Sequence, residues 1–341
     1  MRQTVKFCRA DDGVGLAYAI VGRGPPLLYV CGWPEHLEGE WEQPFARSFL
    51  SGLARGCSLI RYDMRGSGLS DRDVDDLSFE RLLQDLVVVA NQLGSAPVHV
   101  LSLGMLGGPL AVEFAARRPE RVRRLAIVGG VLRGADVMDG SRRRRLVDYV
   151  SEFGFPHLDF VAADGVDSDA ARGVRDLQRR GAAPPVQAAV LREFFAADLS
   201  MSAAAVRAAT LVVHADQDPL VPHECGRQLA AAIPSATFLT VPNDSAAPWA
   251  MQQLLLPRLA DFFGFDVVDG DAARTIGHLT IREREVLGLM AEGLSNRDVA
   301  SALTVSEKTI KTHVSNVLAK LGARNRADAV AIGLRCGLIE S

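Results

Sequence analysis

Residues 279–326 read LTIREREVLGLMAEGLSNRDVASALTVSEKTIKTHVSNVLAKLGARNR, and this stretch predicts three short helices in succession. Each expected helix begins with a hydroxyl side chain that can accept a hydrogen bond from a free backbone N–H. Two of these starts also have capping-box spacing, with a carboxylate three residues after the hydroxyl. The starts are Thr280 with Glu283, Ser295 with Asp298, and Ser306. Gly293 ends the first helix, and the ALTV run at 302–305 makes the turn before the third.

The third of these helices has two unlike sides. Its apolar residues recur at i, i+4, i+7 and i+11 and form one stripe that must be buried. The stripe consists of Ile310, Val314, Val317 and Leu321. The other side carries Lys308, Lys311, Thr312, Ser315 and Asn316. The whole chain has four lysines, and three of them lie on this helix, at 308, 311 and 320. The pattern predicts a helix-turn-helix whose third helix lies in the major groove of DNA.

Over about the last 65 residues the chain resembles the LuxR-type DNA-binding domain. The residues that carry the resemblance are Leu279-Thr280, Arg282-Glu283, Glu285-Val286-Leu287, Gly293, Ser295-Asn296, Val299-Ala300, Thr309, Lys311, His313, Asn316 and Lys320-Leu321. The resemblance implies that the third helix reads the groove. The candidate DNA contacts are Lys308, Thr309, Lys311, Thr312, His313, Ser315, Asn316 and Lys320.

The same resemblance implies partners other than DNA. The last helix, around Ala327–Leu338, is expected to pair two subunits. A homodimer would read half-sites about 10 bp apart on a pseudo-palindrome. The resemblance also implies RNA polymerase as a possible partner.

Composition limits the remaining possibilities. A chain of 341 residues predicts two domains, and 48% hydrophobic residues support a sizeable folded core. No apolar run approaches the roughly 20 residues of a membrane helix, and the N-terminal MRQTVKFCRADDG lacks the apolar core of a signal peptide. The five cysteines are scattered without metal-ligand spacing. We therefore expect reduced thiols in the cytoplasm, with no metal and no cofactor.

Charge is distributed unevenly along the chain. Residues 277–341 hold nine Lys+Arg and seven Asp+Glu, whereas the other residues hold 29 and 34. An acidic body does not attract DNA by itself. Affinity for nucleic acid must therefore come from the C-terminal part.

The larger part of the chain alternates strand-like apolar runs with helical patterns. The predicted strands are Val5–Cys8, Gly15–Val21, Pro26–Cys31, Ser58–Tyr62, Val98–Leu103, Leu125–Val128, Thr210–His214 and Thr237–Val241. Amphipathic segments such as Glu80–Leu93 lie between them. This alternation predicts a doubly wound, mostly parallel α/β sheet.

Four regions follow from these patterns. We expect an α/β domain over 1–265, with a helical lid at about 132–205 that includes the arginine run Arg142–Arg145. A polar linker over 266–277 leads to the small all-α DNA-binding domain at 278–341.

Residues 1–265 resemble the α/β-hydrolase fold. The residues on which this resemblance rests are Gly32-Trp33 after a strand, the run from Asp63 to Ser70, Leu106-Gly107-Gly108-Pro109, Pro119-Glu120-Arg121-Val122, and Asp216-Gln217-Asp218-Pro219 with Val221-Pro222. Hydrolases of this fold place their nucleophile on a strand-to-helix elbow, G-x-S-x-G. The resemblance therefore implies a ligand site at the carboxyl ends of the strands.

The catalytic positions implied by this resemblance do not hold catalytic residues. Counting back from Gly107-Gly108 puts Met105 at the nucleophile position, and Ala246 stands where the general-base histidine is expected. Only the acid position is kept, as Asp218. A thioether has no proton to lose, so the proton relay of a triad cannot operate. We therefore expect no enzymatic activity.

A cavity without its nucleophile and base can still hold a substrate-like molecule. Backbone N–H groups near Trp33 and Leu106, the former oxyanion donors, are candidate contacts to a carbonyl or carboxylate. The candidate ligand-binding residues are Gly32, Trp33, Met105, Leu106, Asp218, Ala246 and Trp249. The sequence thus favours a cytoplasmic regulator whose degenerate hydrolase domain senses a small, largely apolar molecule.

Two alternatives stay open. An active hydrolase fused to a DNA-binding domain would need another nucleophile, and Ser102 with His36 or His223 are the candidates. The second alternative is an α/β module that binds no ligand and serves for oligomerisation or contact with another protein. Three other input domains are disfavoured. A phosphorylated receiver domain is about half as long as residues 1–265, and an acyl-homoserine-lactone domain lacks the spacings of the elbow. An ATP-driven regulator needs a P-loop, and the sequence contains none.

Overall fold

The computed structural model describes residues 1–156, 169–243, 249–265, 279, 281–303, 305–321 and 323–335. The chain divides into two compact units, Met1–Asp266 and Val267–Ser341. Each unit has a hydrophobic core of its own. The expected linker at 266–277 lies outside the described residues.

The described part of the first unit forms one eight-stranded sheet in the order β1-β2-β4-β3-β5-β6-β7-β8. The strands are β1 Thr4–Arg9, β2 Gly15–Gly22, β3 Pro26–Cys31, β4 Ser58–Tyr62, β5 Val98–Leu103, β6 Val122–Val128, β7 Ala209–Ala215 and β8 Ala236–Val241. β1, β2 and β4 pair antiparallel, and all other pairs are parallel. The central strand β5 is buried at every residue, which explains its unbroken apolar run. All eight predicted strands are present, with ends that differ by at most three residues.

Helices cover the sheet and form a cap on it. They are α1 Leu37–Glu42, α2 Pro44–Leu53, α3 Phe79–Asn91, α4 Gly107–Arg117, α5 Gly140–Phe153, α6 Asp169–Gly181, α7 Pro184–Ala196, α8 Ser200–Ala205, α9 His223–Ala232 and α10 Gln252–Phe263. Helices α5 to α8 lie between β6 and β7, where the sequence predicts the lid. The arginine run Arg142–Arg145 lies in the first two turns of α5.

A buried ion pair joins the loop after β4 to α3. Arg65 donates to the two carboxylate oxygens of Asp85 at 2.6 and 2.7 Å. It also donates to Asp12 at 2.8 Å. The side chains of Arg65 and Asp85 are each only 1% exposed. Because the pair is bidentate, it fixes both the position and the orientation of the loop that follows β4.

The second unit contains four described helices around its own core. They are α11 Ile281–Ala291, α12 Asn296–Ala302, α13 Glu307–Leu321 and α14 Arg326–Arg335. The core includes Leu279, Val286, Leu287, Met290, Val299, Ile310, Val317, Leu321, Ala329 and Ile332. The predicted apolar stripe of α13 is confirmed, since three of its residues are buried and Val314 packs against them half-buried.

Within the described residues of the second unit, the helices begin at the predicted capping residues. The Asp298 N–H donates to Ser295 Oγ at 3.3 Å, and the Ser295 N–H donates to the Asp298 carboxylate at 3.2 Å. This is the predicted capping box. The Thr309 N–H donates to Ser306 Oγ at 3.1 Å, which confirms the cap of α13. Thr280 of the other predicted box lies outside the described residues, as do positions 336–338 of the predicted last helix.

Candidate functional site

The first candidate site is the outer face of α13. Lys308, Lys311, Thr312, Ser315 and Asn316 are all exposed, whereas the apolar stripe of the same helix faces the core. Lys311 makes an i,i+4 ion pair with Glu307 at 3.0 Å, and its side chain is 65% exposed. Exposed pairs of this kind contribute little, so DNA phosphate can replace the partner of Lys311. The helix thus presents two lysines and three polar side chains that a duplex can reach.

Three other predicted DNA contacts have different surroundings. Lys320 makes an ion pair with Glu283 at 2.7 Å, and the Glu283 side chain is only 3% exposed. This ion pair joins α13 to α11, and contact of Lys320 with DNA stays a prediction. His313 is half-buried with its Nδ1 atom enclosed. The Thr309 hydroxyl lies 2.7 Å from Ser306 Oγ, so it belongs to the helix cap although it is exposed.

The second candidate site lies at the carboxyl end of β5, where the chain turns sharply into α4. Gly104 takes φ +72°, the left-handed region that favours glycine. Gly104 is exposed, and a Cβ placed on it would meet nothing within 4 Å. Met105 is 7% exposed and packs in the core. Hydrolases of this fold hold their nucleophile on the strained residue of this turn, with its side chain in the open.

The elbow therefore corrects the prediction for the nucleophile position by one residue. The position falls on Gly104 rather than on Met105, because spacing from the glycine pair cannot resolve where the backbone turns. Neither residue carries a hydroxyl or thiol group. Gly107 is fixed by packing, since a Cβ there would stand 2.6 Å from the Val30 carbonyl oxygen.

The backbone N–H groups expected to act as oxyanion donors are already used within the protein. The Leu106 N–H donates to the Gly32 carbonyl oxygen at 3.2 Å, so it is already used within the protein. The Trp33 N–H points at the Cys31 sulfur at 3.3 Å. Among the described residues, the Met105 N–H has no acceptor. This group follows the elbow residue directly, which is where such folds place an oxyanion donor.

Of the other two expected triad positions, Asp218 lies among the described residues and makes local contacts. Asp218 Oδ1 accepts from the Leu220 and Val221 N–H groups at 2.8 and 2.9 Å, so this carboxylate organises its own loop. Ala246 lies outside the described residues. His223 Nε2 lies 2.9 Å from Thr240 Oγ1.

Ser102, the candidate substitute nucleophile, is 0% exposed within β5. A substrate cannot reach this hydroxyl without opening the sheet. The alternative of a rearranged active site therefore has no accessible nucleophile at Ser102.

A cavity of about 80 Å³ opens next to the loop after β3. The indoles of Trp33 and Trp249 form walls, as the sequence predicts, and Val174 and Leu177 of α6 add aliphatic surface. Gly32, Met105, Leu106 and Asp218 are not among the described lining residues. The polar part of the lining comes from Glu35, His36, Glu40 and Gln178, of which the sequence analysis names His36 alone, as a candidate base. For Glu35 and Glu40 the only sequence signal is their place shortly after Gly32-Trp33, and Gln178 on α6 has none.

The two carboxyl groups of this cavity differ in their partners. Glu40 is buried and accepts from Arg61 at 2.5 Å. Arg61 is itself 1% exposed and also donates to Gln3 at 2.9 Å. Glu35 is half-buried beside them. Loss of hydration and the nearby charge of Glu40 hold the pKa of Glu35 well above its usual range. Arg61 opposes part of this rise in the pKa of Glu35, and Glu35 shares a hydrogen bond with Glu40, so the three side chains form one cluster beside the cavity.

The sheet, the helical cap and the elbow define an α/β-hydrolase fold, and the capped helices of the second unit define a helix-turn-helix domain. Residues 277–332 match the luxR family of bacterial regulatory proteins. Residues 25–156 match the alpha/beta hydrolase fold. The chain therefore combines a LuxR-type DNA-binding domain with an α/β-hydrolase domain, and the predicted fold class is confirmed.

Two curated regulatory proteins match about a fifth of the chain. The chain is 50% identical over 60 residues to the uncharacterized transcriptional regulatory protein YhcZ of Bacillus subtilis, which is 18% of this chain and 28% of that protein. It is 48% identical over 62 residues to the response regulator protein VraR of Staphylococcus aureus, which is 18% of this chain and 30% of that protein. The chain thus spans less than a third of these relatives, and the likeness covers the DNA-binding domain.

Among solved structures, the similarity covers the α/β domain. A hydrolase from Pseudomonas aeruginosa PA01 superimposes with a TM-score of 0.66 at 20% identity, over 76% of this chain and 98% of that one. An enol-lactonase from Burkholderia xenovorans LB400 gives a TM-score of 0.65 at 20% identity, over 76% of this chain and 100% of that one. At this identity the likeness establishes the fold alone.

Two features of other protein classes are absent from the described part of the chain. Among the described helices, none combines the length and apolar character that a membrane crossing requires. Within the same described ranges, no three His, Cys, Asp or Glu side chains are grouped so that they could hold a metal ion.

Proposed function

We propose that this protein is a transcriptional regulator whose α/β domain binds a small molecule without hydrolysing it. The observation that carries the proposal is the exposed Gly104 at the elbow, on a chain that also has a LuxR-type domain. The fold keeps the scaffold of a hydrolase and lacks a side chain where the nucleophile should stand.

The DNA-binding role is supported by α13. Its exposed lysines and polar side chains have the layout of a recognition helix, and the apolar stripe holds that helix on the domain core. DNA contacts by Lys308, Lys311, Thr312, Ser315 and Asn316 stay predictions. Homodimerisation through α14, contact with RNA polymerase and a place in the cytoplasm belong to the same proposal.

The sensing role is supported by the cavity between the β3 loop and the cap. Such sites at the carboxyl ends of strands commonly hold small ligands. A ligand can change DNA binding only if it binds one arrangement of the protein more tightly than another. The bound molecule is therefore expected to favour one geometry of the cap or of the subunit pair.

The proposal is tested by assaying one preparation of the full chain for two activities. It should bind duplex DNA and should show no burst and no turnover with activated esters. Ester turnover that Ser102→Ala abolishes would instead establish the active-hydrolase alternative. Failure to bind any duplex, including fragments of the source genome, would overturn the regulatory role.

Restoring a hydroxyl at the elbow should not restore hydrolysis. Gly104→Ser places its Cβ in open space, and the left-handed backbone costs about 1–2 kcal/mol. With alanine at the expected base position, the serine stays protonated and unreactive. Stopped-flow assays with an activated ester should therefore show no burst, and Met105→Ser should behave alike. A burst from Gly104→Ser alone would mean that another residue acts as general base.

A further inference from the structure

Helix α5 carries its charges in an order that does not stabilise an isolated helix. Beyond the cap at Asp139, the arginine run from Arg142 to Arg145 comes first, and Asp148 and Glu152 follow in the second half. The N-terminal end of a helix favours negative charge, and the C-terminal end favours positive charge. The first turn of α5 holds no acidic residue and its last turn no basic residue. The order is therefore the reverse of the one that the helix dipole favours.

Charges of both signs lie on the exposed face of this helix. Arg145 and Glu152 are seven residues, or about two turns, apart, and both are exposed, as is Asp148 between them. The opposite face packs in the core of the α/β unit. Arg145 donates to Ser141 Oγ at 3.3 Å, and within the described part of the chain none of the three charges is in an ion pair. These charges are therefore available to a partner.

Two aromatic side chains share the exposed face. Tyr149 is 47% exposed and Phe153 is 61% exposed, and their ring centroids lie 5.1 Å apart. Exposed aromatic rings beside arginines are typical of the centre of a protein–protein interface, where Tyr and Arg contribute much of the binding energy. The face thus combines an aromatic pair with charges of both signs.

We propose that α5 pairs antiparallel with α5 of a second copy of this chain, about a twofold axis that passes between Asp148 and Tyr149. This axis lies midway between Arg145 and Glu152, so each Arg145 meets Glu152 of the partner subunit. The Tyr149 side chains of the two copies meet beside the axis. Each end of the helix also lies beside the opposite dipole end of its counterpart, which offsets the unfavourable order of charges.

Charge complementarity favours a second copy over a nucleic acid. Arg145 would attract a polyanion, but Asp148 and Glu152 on the same face would repel it. The face is complementary to itself, because its basic half meets its acidic half when one copy is rotated by half a turn. The pairing involves the cap of the α/β unit, so it goes beyond the proposed ligand binding and is separate from the pairing predicted for α14.

The size of the helix indicates how tight the contact is. α5 has 14 residues and is about 21 Å long. Two helices of this length bury less than the roughly 1,200–2,000 Å² of a stable interface. The pairing is therefore expected to be reversible, with monomer and dimer exchanging at about micromolar concentrations.

Exchanging the charges tests the pairing, with sedimentation velocity of the full chain over a range of concentrations as the measurement. Arg145→Glu and Glu152→Arg, each alone, place like charges opposite one another and should raise the dissociation constant of the pair about tenfold or more. The variant with both changes restores opposite charges in exchanged places and should recover most of the lost affinity. Arg55→Glu makes the same charge reversal at an exposed position after α2 and should behave as the wild type.

A cross-link locates the contact. Tyr149→Cys places one thiol of each copy beside the axis, where the two can form a disulfide. Mild oxidation should give a covalent dimer that the additional change Glu152→Arg suppresses, whereas Arg55→Cys should give none. Unchanged affinity in the single variants, no recovery in the double variant, or equal cross-linking by Tyr149→Cys and Arg55→Cys would overturn the pairing. Loss of duplex affinity without loss of pairing in Arg145→Glu would assign the face to nucleic acid instead.

Discussion

Replacing Lys308 and Lys311 together by alanine is expected to weaken binding to duplex DNA about a hundredfold at low salt. Both lysines are exposed on the outer face of α13, away from the core that holds this helix. If they contact phosphates, each also releases condensed counterions on binding. The slope of log affinity against log salt should therefore fall by about two per subunit. Fluorescence anisotropy with a labelled duplex at several salt concentrations measures both effects.

The chain offers a matched control for this pair. Lys6 is the fourth lysine, exposed on β1 of the other unit, and Lys6→Ala should leave affinity and salt slope unchanged. Circular dichroism should show that the double variant keeps its helices, because both side chains point away from the core. An unchanged salt slope in the double variant would mean that another surface of the chain contacts DNA.

Asp85→Ala is expected to destabilise the α/β unit by about 3–5 kcal/mol. The substitution leaves Arg65 without its bidentate partner at a place where both side chains are 1% exposed. Of the described ion pairs of Arg65, the one with Asp12, itself 22% exposed, would remain. Urea unfolding followed by tryptophan fluorescence reports this unit alone, because all three tryptophans lie in residues 1–265.

An exposed ion pair provides the comparison. Glu224 and Arg227 are bonded at 2.6 Å with side chains 50% and 64% exposed, and Glu224→Ala should change the free energy of unfolding far less than Asp85→Ala does. If Asp85→Ala cost as little as this control, the Arg65–Asp85 pair would not organise the loop after β4 as described.

Local patterns in the sequence were sufficient for much of the fold. The capping box at Ser295 depends on a spacing of three residues, and the burial of Ile310 and Val317 depends on helical periodicity, so both can be derived without tertiary information. The unbroken apolar run of β5 likewise follows from its central place in the sheet.

Other features depend on what spacing along the chain does not show. Lys320 is predicted to face DNA, and its ion-pair partner Glu283 lies 37 residues earlier on α11. The sharp backbone turn lies at Gly104 rather than at the predicted Met105, because spacing from Gly107-Gly108 does not show where the backbone turns. The cavity at Glu35 depends on Val174 and Leu177 of α6, which folding places beside it.

Ligand sensing by the α/β domain predicts that occupancy of the cavity changes the affinity of the chain for DNA. Native mass spectrometry of the purified full chain first identifies any small molecule that it carries. Duplex affinity is then compared between the stripped and the reloaded protein, with Leu177→Trp as a variant that fills the cavity. Reloading should change the affinity of the wild type about fivefold or more and leave that of Leu177→Trp unchanged. Equal affinities of stripped and reloaded wild-type protein would contradict ligand sensing.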